Sequence, residues 1–275
     1  MRNSNIKTMK LYNYVERIFN EIREIGKNNF EKLNVEELIN FDQLHYCGVE
    51  ALNFSIEKLS IDSNMSILEI GSGIGGPARY IADKTGATIT ALEIQPDQNK
   101  IALNLTKRCD LNKKVIHVCG DILNYEWGNK KFDGIVSWLS LFHIHNHKAL
   151  LKKCFDLLNS GGFFYSEDLI SLKLLSNNEI IELSTELFAH YLPDYQSYNS
   201  ELNKYGFKLI FHQNMTDIWS QFTRDRKTSY INQKDRHLRV HGEEIYNNLN
   251  SFYTFIDQYF SSGKLGGIRV IARKD

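Results

Sequence analysis

The run Leu68-Glu69-Ile70-Gly71-Ser72-Gly73-Ile74-Gly75-Gly76 carries the residue types that nucleotide chemistry needs at close quarters. Gly71, Gly73 and Gly76 satisfy G-x-G-x-x-G, a turn whose missing side chains let backbone N–H groups approach a ligand. Glu93 follows 22 positions after Gly71, where an acidic side chain can hold ribose hydroxyls. Gly120-Asp121-Ile122 offers a third polar strand end. A turn with a purely structural role accounts for the glycines alone. Three successive polar ends point instead to a nucleoside-containing ligand in the crevice above a parallel sheet.

Charge narrows the ligand. Glu69 lies two residues before the first glycine, where a dinucleotide would rest its pyrophosphate, and a carboxylate there repels a diphosphate. It suits a ligand bearing an ammonium and a sulfonium, which is S-adenosylmethionine. A solvated strand-end acid is the plain alternative for Glu69. A nicotinamide-dependent oxidoreductase is the alternative for the loop, and a cofactor-binding module without turnover is a third reading.

Transfer of a methyl group from a sulfonium is an in-line displacement, so a protein must align the acceptor and exclude water. An amine or hydroxyl acceptor must also lose a proton, which calls for a base with a pKa near neutrality. Trp138-Leu-Ser-Leu-Phe-His-Ile-His-Asn-His147 supplies three histidines and two aromatics near the crevice mouth. Of these, His145 and His147 are expected at the surface. Trp138, Tyr46 and Trp219 could cage a methylated ammonium. The basic run 224–239 reads as a solvated helical face or as an anchor for a carboxylate or phosphate.

These residues need a scaffold. Apolar spacing predicts helices over 10–25, 47–59, 97–109 and 148–158, and Asn34 with Glu37 caps a short helix through Ile39. Strands are expected at 66–70, 87–93, 114–119, 132–137 and 163–167, with a helix near 76–85 and Gly161-Gly162 ending the helix before the fifth strand. That alternation is the mark of an α/β, doubly wound parallel sheet. After Asp168 come a capping box at Ser176 and Glu179 before a helix stopped ahead of Pro193, a helix at 196–205 and a strand at 207–212. A long amphipathic stretch from Asp217, interrupted near His241-Gly242, leads to Gly266-Gly267 and a last strand at 268–272.

Glu69-x-Gly71-x-Gly73-x-Gly75 resembles motif I of the class I S-adenosylmethionine-dependent methyltransferases. Its extension to Gly76-Pro-Ala-Arg-Tyr80 looks more narrowly like the branch holding glycine, sarcosine and dimethylglycine N-methyltransferases, phosphoethanolamine methyltransferases and sterol methyltransferases. Phe132-Asp133-Gly-Ile-Val and Leu157-Leu-Asn-Ser-Gly-Gly162 match the fourth-strand motif and the turn before strand five, while Leu44-His-Tyr-Cys-Gly-Val-Glu-Ala51 extends the likeness upstream of about residue 60. Ser72 departs from the cysteine of many members, at a position where the backbone makes the turn.

The resemblance implies a Rossmann-like seven-stranded sheet ordered 3-2-1-4-5-7-6 with strand 7 antiparallel. It implies that Glu93 binds ribose and that Asp121 with Ile122 binds adenine. Ser72, Ile94, Gln98 and Ser137 join Glu69, Gly71 and Gly73 as cofactor residues. A histidine is catalytic in the matching Leu-His-hydrophobic position of the phosphoethanolamine enzymes, and His143 fills that place. His45 and Tyr46 precede a helix placed over the cofactor; Tyr46 is expected to clamp the methionine end or pair with His143, with Gln43 as a weaker candidate. His45, Trp138, His143 and Trp219 are the expected acceptor contacts, and no metal is expected.

Composition bounds the partners. The 275 residues hold 33 basic and 33 acidic side chains and 42% apolar residues, enough for a core and too balanced for a nucleic-acid coat. No apolar run reaches membrane-helix length, and residues 1–5 lead into an amphipathic segment without the apolar stretch of a secretory signal. The four cysteines, with no C-x-x-C pair, suit a reducing compartment. The expectation is a cytoplasmic enzyme that N-methylates a small amine, with C- or O-methylation of a hydrophobic metabolite as the alternative. A homodimer is admissible. Residues 1–60 would form a helical arm, 61–275 the methyltransferase domain, and 171–205 a helical insert closing over the acceptor.

Overall fold

The computed structural model describes residues 6–275; the reading of residues 1–5 lies outside them. Seven strands form one sheet in the order β3-β2-β1-β4-β5-β7-β6. They are β1 (Ser66–Ile70), β2 (Thr88–Glu93), β3 (Val115–Cys119), β4 (Phe132–Trp138), β5 (Leu158–Ser171), β6 (Phe207–Asn214) and β7 (Leu265–Lys274). The first five run parallel, and β7 is antiparallel to both β5 and β6. This is the order expected from the resemblance.

Burial follows position. Central β1 and β4 are buried almost throughout because helices cover both sheet faces, whereas edge strand β6, past Phe207, alternates half-buried and exposed residues. Helices α3 (Gly48–Leu59), α4 (Gly76–Thr85), α5 (Pro96–Arg108), α6 (His147–Leu157) and α8 (Tyr195–Lys204) flank the sheet. Two clusters centred on Phe132, Leu150 and Phe164, and on Leu52, Ile67 and Ile89, fill the opposite faces.

A third cluster extends beyond the sheet from Leu169 of β5 and Leu265 of β7. After β6 the chain folds into α9 (Thr216–Asn232), α10 (Lys234–His241) and α11 (Glu243–Ser261) before returning as β7. Trp219, Leu249, Phe252 and Phe260 from this segment pack with Met9 and Leu11 of the arm and with Leu183 and Phe188 beyond β5. The helical insert expected at 171–205 therefore divides. Its first part, α7 (Asn177–Glu186) and the following turn, joins this cap, while α8 lies chiefly against β6 and also reaches β5. The larger cap element is 216–261.

The single helix expected at 10–25 is broken. Residues 9–14 turn, and α1 (Ile18–Glu24) begins only after a short 3-10 turn at Val15–Arg17. The Arg17 guanidinium donates to the carbonyls of Leu11 (3.0 Å) and Tyr14 (3.1 Å), acceptors that a continuous helix would have consumed internally. The capping pair of Asn34 and Glu37 starts α2 (Val35–Leu38) as expected. The arm is tied to the cap by charge: Arg236 to Glu21 (2.5 Å), Arg239 to Glu24 (2.5 Å) and Lys10 to Glu186 (2.7 Å).

Two glycine pairs behave differently from expectation. Gly161-Gly162 do not end α6, which passes directly into β5; they form an irregularity where Phe132 faces Leu158 and Gly134 already faces Phe163. Gly266-Gly267 lie inside β7 rather than before it. A Cβ on Gly267 would come within 2.1 Å of the Trp219 ring, so the indole can sit flat on the strand only over glycine.

Candidate active site

A cavity of about 690 Å³ opens at the carboxyl ends of β1, β2 and β4, beneath the arm and the cap. Its size is that of a small-molecule site. One half is acidic, the other largely apolar.

The glycine loop forms the floor of the acidic half. Gly71 has φ +74 and its N–H donates to the Leu92 carbonyl (2.9 Å); a Cβ there would fall 2.4 Å from the Ser140 side chain. Only glycine combines that conformation with that contact. The Gly73 N–H donates to Glu93 Oε2 and the Gln95 N–H to Oε1, both at 2.8 Å, so the carboxylate is fixed at the strand end before any ligand arrives. Asp121 is held by the Leu123 N–H (2.9 Å) and the Asn124 amide (2.6 Å). Ser72, Ile94, Gln98 and Ile122 also line this half, and Gln98 Oε1 is buried without a partner.

Glu69 is 2% exposed, and its Oε2 has no hydrogen-bond partner. Burial pushes its pKa up to about 8, with Arg79 opposing the rise and Glu93 adding to it. A buried carboxylate with one bare oxygen, in a cavity shared with Glu93 and Asp121, fits a cationic nucleoside such as S-adenosylmethionine. A bound cation would hold Glu69 ionised, so at pH 6–7 binding releases a proton. Affinity for S-adenosylmethionine should then rise with pH toward about 8, by at most about tenfold per unit, and level off above it. Calorimetry in buffers of different ionisation enthalpy checks this, and Glu69→Gln should remove the slope. A flat profile in the parent protein would contradict it.

The apolar half is built by Leu11, Phe142, Leu169, Leu187, Phe188 and Phe252 around His143. His143 Nδ1 donates to the Phe188 carbonyl at 3.0 Å, which fixes the tautomer and leaves Nε2 a bare acceptor. That Nε2 is buried and unpartnered. Burial lowers the pKa to about 4, with the Phe188 bond opposing and His190 reinforcing the shift. Phe188 has φ +54, a conformation uncommon for a bulky residue, held while the Phe142 carbonyl accepts the N–H groups of His190 (2.9 Å) and Tyr191 (3.0 Å).

The tyrosine that meets His143 is Tyr12, edge-on at 6.2 Å between ring centroids. Burial pushes its phenol pKa upward, with Glu93 adding to the effect. Tyr46 lines the same cavity but is fastened among Trp219 (5.1 Å), Phe222 (5.4 Å) and Phe260 (6.1 Å). His45 and Trp138 also line it, their rings tilted at 39° with centroids 5.9 Å apart, and His45 Nε2 lies 3.0 Å from the Gly48 carbonyl.

Several expected residues are placed elsewhere. Trp219 has no exposure and supports Tyr46 from behind; its α9 position presses it onto Gly267 instead of into the cavity. Ser137 is fully buried with its hydroxyl on the Ile70 carbonyl (3.0 Å), and Ser140, at 2.8 Å from the same oxygen, reaches the cavity in its place. Gln43 turns its amide to Asp42 (2.8 Å) and lines a neighbouring cavity. His145 is exposed, but His147 is buried, stacked on Tyr191 at 3.8 Å.

The basic run divides: Lys227 pairs with Asp257, Arg236 with Glu21 and Arg239 with Glu24, while Arg224 and Lys234 lie exposed on the helical face. Arg226 differs. It donates to the His45 carbonyl (3.0 Å), lies 4.4 Å over the Phe222 ring and lines the cavity without a carboxylate partner among the described residues. The sequence names Arg226 only as one base of the run and does not single it out. Tyr12, Ser140, His190 and Phe252 were missed altogether; Tyr12 falls off the apolar stripe of the helix expected at 10–25.

A family model described as mycolic acid cyclopropane synthetase matches residues 39–269. A phosphoethanolamine N-methyltransferase of Plasmodium falciparum is 24% identical over 205 residues, 74% of this chain and 76% of that protein. A sterol 24-C-methyltransferase of Clavispora lusitaniae is 29% identical over 128 residues, 46% of this chain and 34% of that one. Among solved structures, phosphoethanolamine N-methyltransferase 2 of Haemonchus contortus, in complex with phosphomonomethylethanolamine and S-adenosylhomocysteine, superposes with a TM-score of 0.80 at 20% identity. The match covers 98% of this chain and 59% of that one. A cyclopropane synthase of Mycobacterium tuberculosis gives 0.72 at 16% identity, covering 82% and 84%.

Proposed function

From the premise that this chain belongs to the family described as mycolic acid cyclopropane synthetase, and is an S-adenosylmethionine-dependent methyltransferase, we propose that it methylates the nitrogen of a small amine. The observation that carries this reading is the bare, buried Nε2 of His143 beside Tyr12. S-adenosylmethionine supplies the methyl group on a sulfonium. Glu93 would hold the ribose, Asp121 and Ile122 the adenine, and Glu69 the positive charge.

On the acceptor side, the nitrogen lone pair forms the new N–C bond as the S–C bond breaks toward sulfur. The proton left on nitrogen passes to His143 Nε2, with the Tyr12 hydroxyl orienting the amine. Burial holds this imidazole's pKa at about 4, below the near-neutral value expected of such a base, so it is neutral and able to accept at any pH well above 4. The arm, α7 and the 216–261 cap exclude water from that half.

The apolar walls from Phe142, Leu169, Leu187, Phe188 and Phe252 favour a second reading, methylation of carbon or oxygen in a hydrophobic metabolite. Formation of S-adenosylhomocysteine across phosphoethanolamine, glycine-type amines, phenols and sterols separates the two. Turnover confined to phenols or sterols would sink the amine reading. No helix among the described residues is long and apolar enough to cross a membrane. A small-molecule acceptor, rather than a nucleic acid, and a cytoplasmic setting complete the proposal, with a homodimer left as an admissible assembly.

A further inference from the structure

A second cavity of about 470 Å³ lies between the arm and the cap, sharing Leu11, Leu44, Ile74 and Arg226 with the first. Its wall carries three guanidinium groups, Arg17, Arg226 and Arg236, against the single carboxylate of Glu21. Arg236 occupies both oxygens of Glu21 (3.2 and 2.5 Å), and His241 Nε2 sits 2.7 Å from one of them. That acid is therefore spoken for. Glu21, His237 and His241 bring ligand atoms within 4.8 Å of one another, but a cation there would have to displace the Arg236 guanidinium.

The other two arginines have no carboxylate within ion-pair distance among the described residues, although Glu21 acts on Arg17 from further off. Arg17 uses Nη1 on two backbone carbonyls, and Arg226 uses Nη2 on one. Burial lowers the Arg17 pKa, the direction that a nearby anion would reverse. Three further polar atoms on this wall are buried without partners: the Tyr230 hydroxyl, His237 Nδ1 and Gln43 Oε1. Unsatisfied buried groups are rare in native proteins and ask for a ligand or ordered water. The Tyr230 hydroxyl and His237 Nδ1 can donate here beside the Arg17 and Arg226 guanidinium groups, whereas Gln43 Oε1 can only accept.

We propose that this second cavity is an oxyanion site, taking a phosphate, sulfate or carboxylate group on Arg17, Arg226, Tyr230 and His237. Arg226 faces both cavities, so the anion sits beside the acceptor half of the first. The group is either the anionic end of the acceptor or a separate anionic metabolite. The site does not depend on which atom of the acceptor is methylated.

The experiment is titration of the whole protein with inorganic phosphate at constant ionic strength, with and without saturating S-adenosylhomocysteine. Saturable binding at one site per chain is expected. Arg17→Gln and Arg226→Gln should each weaken it about tenfold or more, the size of a lost charge-assisted bond. Tyr230→Phe breaks no hydrogen bond that the folded protein makes, and should weaken phosphate binding without lowering the melting temperature. Phosphate inhibition competitive with an active acceptor identifies the site with the acceptor's tail, and non-competitive inhibition with a separate ligand. Absence of saturable phosphate binding in the parent, or binding unchanged in all three variants, overturns the proposal, and does so even where methyl transfer to amines is found.

Discussion

Replacing His143 by Ala is expected to lower turnover by about 10²–10⁴-fold, the range of a lost general base, while S-adenosylhomocysteine binds within about twofold of the parent. The imidazole touches only the acceptor half, where its Nδ1 is committed to the Phe188 carbonyl and its Nε2 to nothing. Because burial has already lowered its pKa to about 4, the pH profile of kcat should show no inflection near 6.5 from this residue. His143→Gln can still donate to Phe188 and should keep the cavity wall intact without restoring turnover. Turnover of His143→Ala within about threefold of the parent would reject the role. Measuring kcat, KM and S-adenosylhomocysteine affinity together separates a lost base from a collapsed pocket.

Asp42→Ala should cost about 3–5 kcal/mol of stability, the penalty for leaving a buried charge without its partner. Asp42 Oδ2 accepts from Arg79 Nη2 at 2.9 Å, and neither side chain has any exposure. Arg79 also donates to the Ile74 carbonyl at 2.8 Å, so the pair fastens the segment before α3 to the glycine loop itself. Burial raises the Asp42 pKa despite Arg79, so desolvation outweighs attraction there. The sign follows: stability from Asp42 ionisation is not gained but lost as pH rises above the ordinary aspartate range. The pair is a fixed geometry rather than a source of stability. Asp42→Ala with Arg79→Met should accordingly recover more than half of the loss. Urea unfolding checks both variants. A single variant within about 1 kcal/mol of the parent would show that Arg79 finds another partner.

How far the sequence reached is visible in these two cases. The strand-turn-helix around Gly71 was legible because it is local: apolar alternation marks β1, glycines mark the turn, and Pro77 sits in the first turn of α4. Glu93 and Asp121 were legible because they sit at strand ends a fixed interval further on. His143 lay within a histidine cluster on a predicted strand end. In each, the positioning element and the functional residue are neighbours in the chain.

The missed residues lack that neighbourhood. Tyr12 meets His143 across 131 positions because Arg17 stops the helix that would have carried the tyrosine away. Arg226 and Phe252 reach the cavity only because the segment between β6 and β7 folds back over the sheet as α9–α11. Trp219 and Tyr46 look alike as aromatic candidates, and packing alone puts one on the cavity wall and the other behind it. By itself the sequence determined the doubly wound sheet, the cofactor loop and its acids, since hydrophobic period and turn chemistry act over a few residues. Only the tertiary structure decided which tyrosine faces the histidine, which arginine stays without an acid and where the second cavity lies. Those are matters of distance between segments more than two hundred residues apart, set by how the cap and arm bury their apolar faces together.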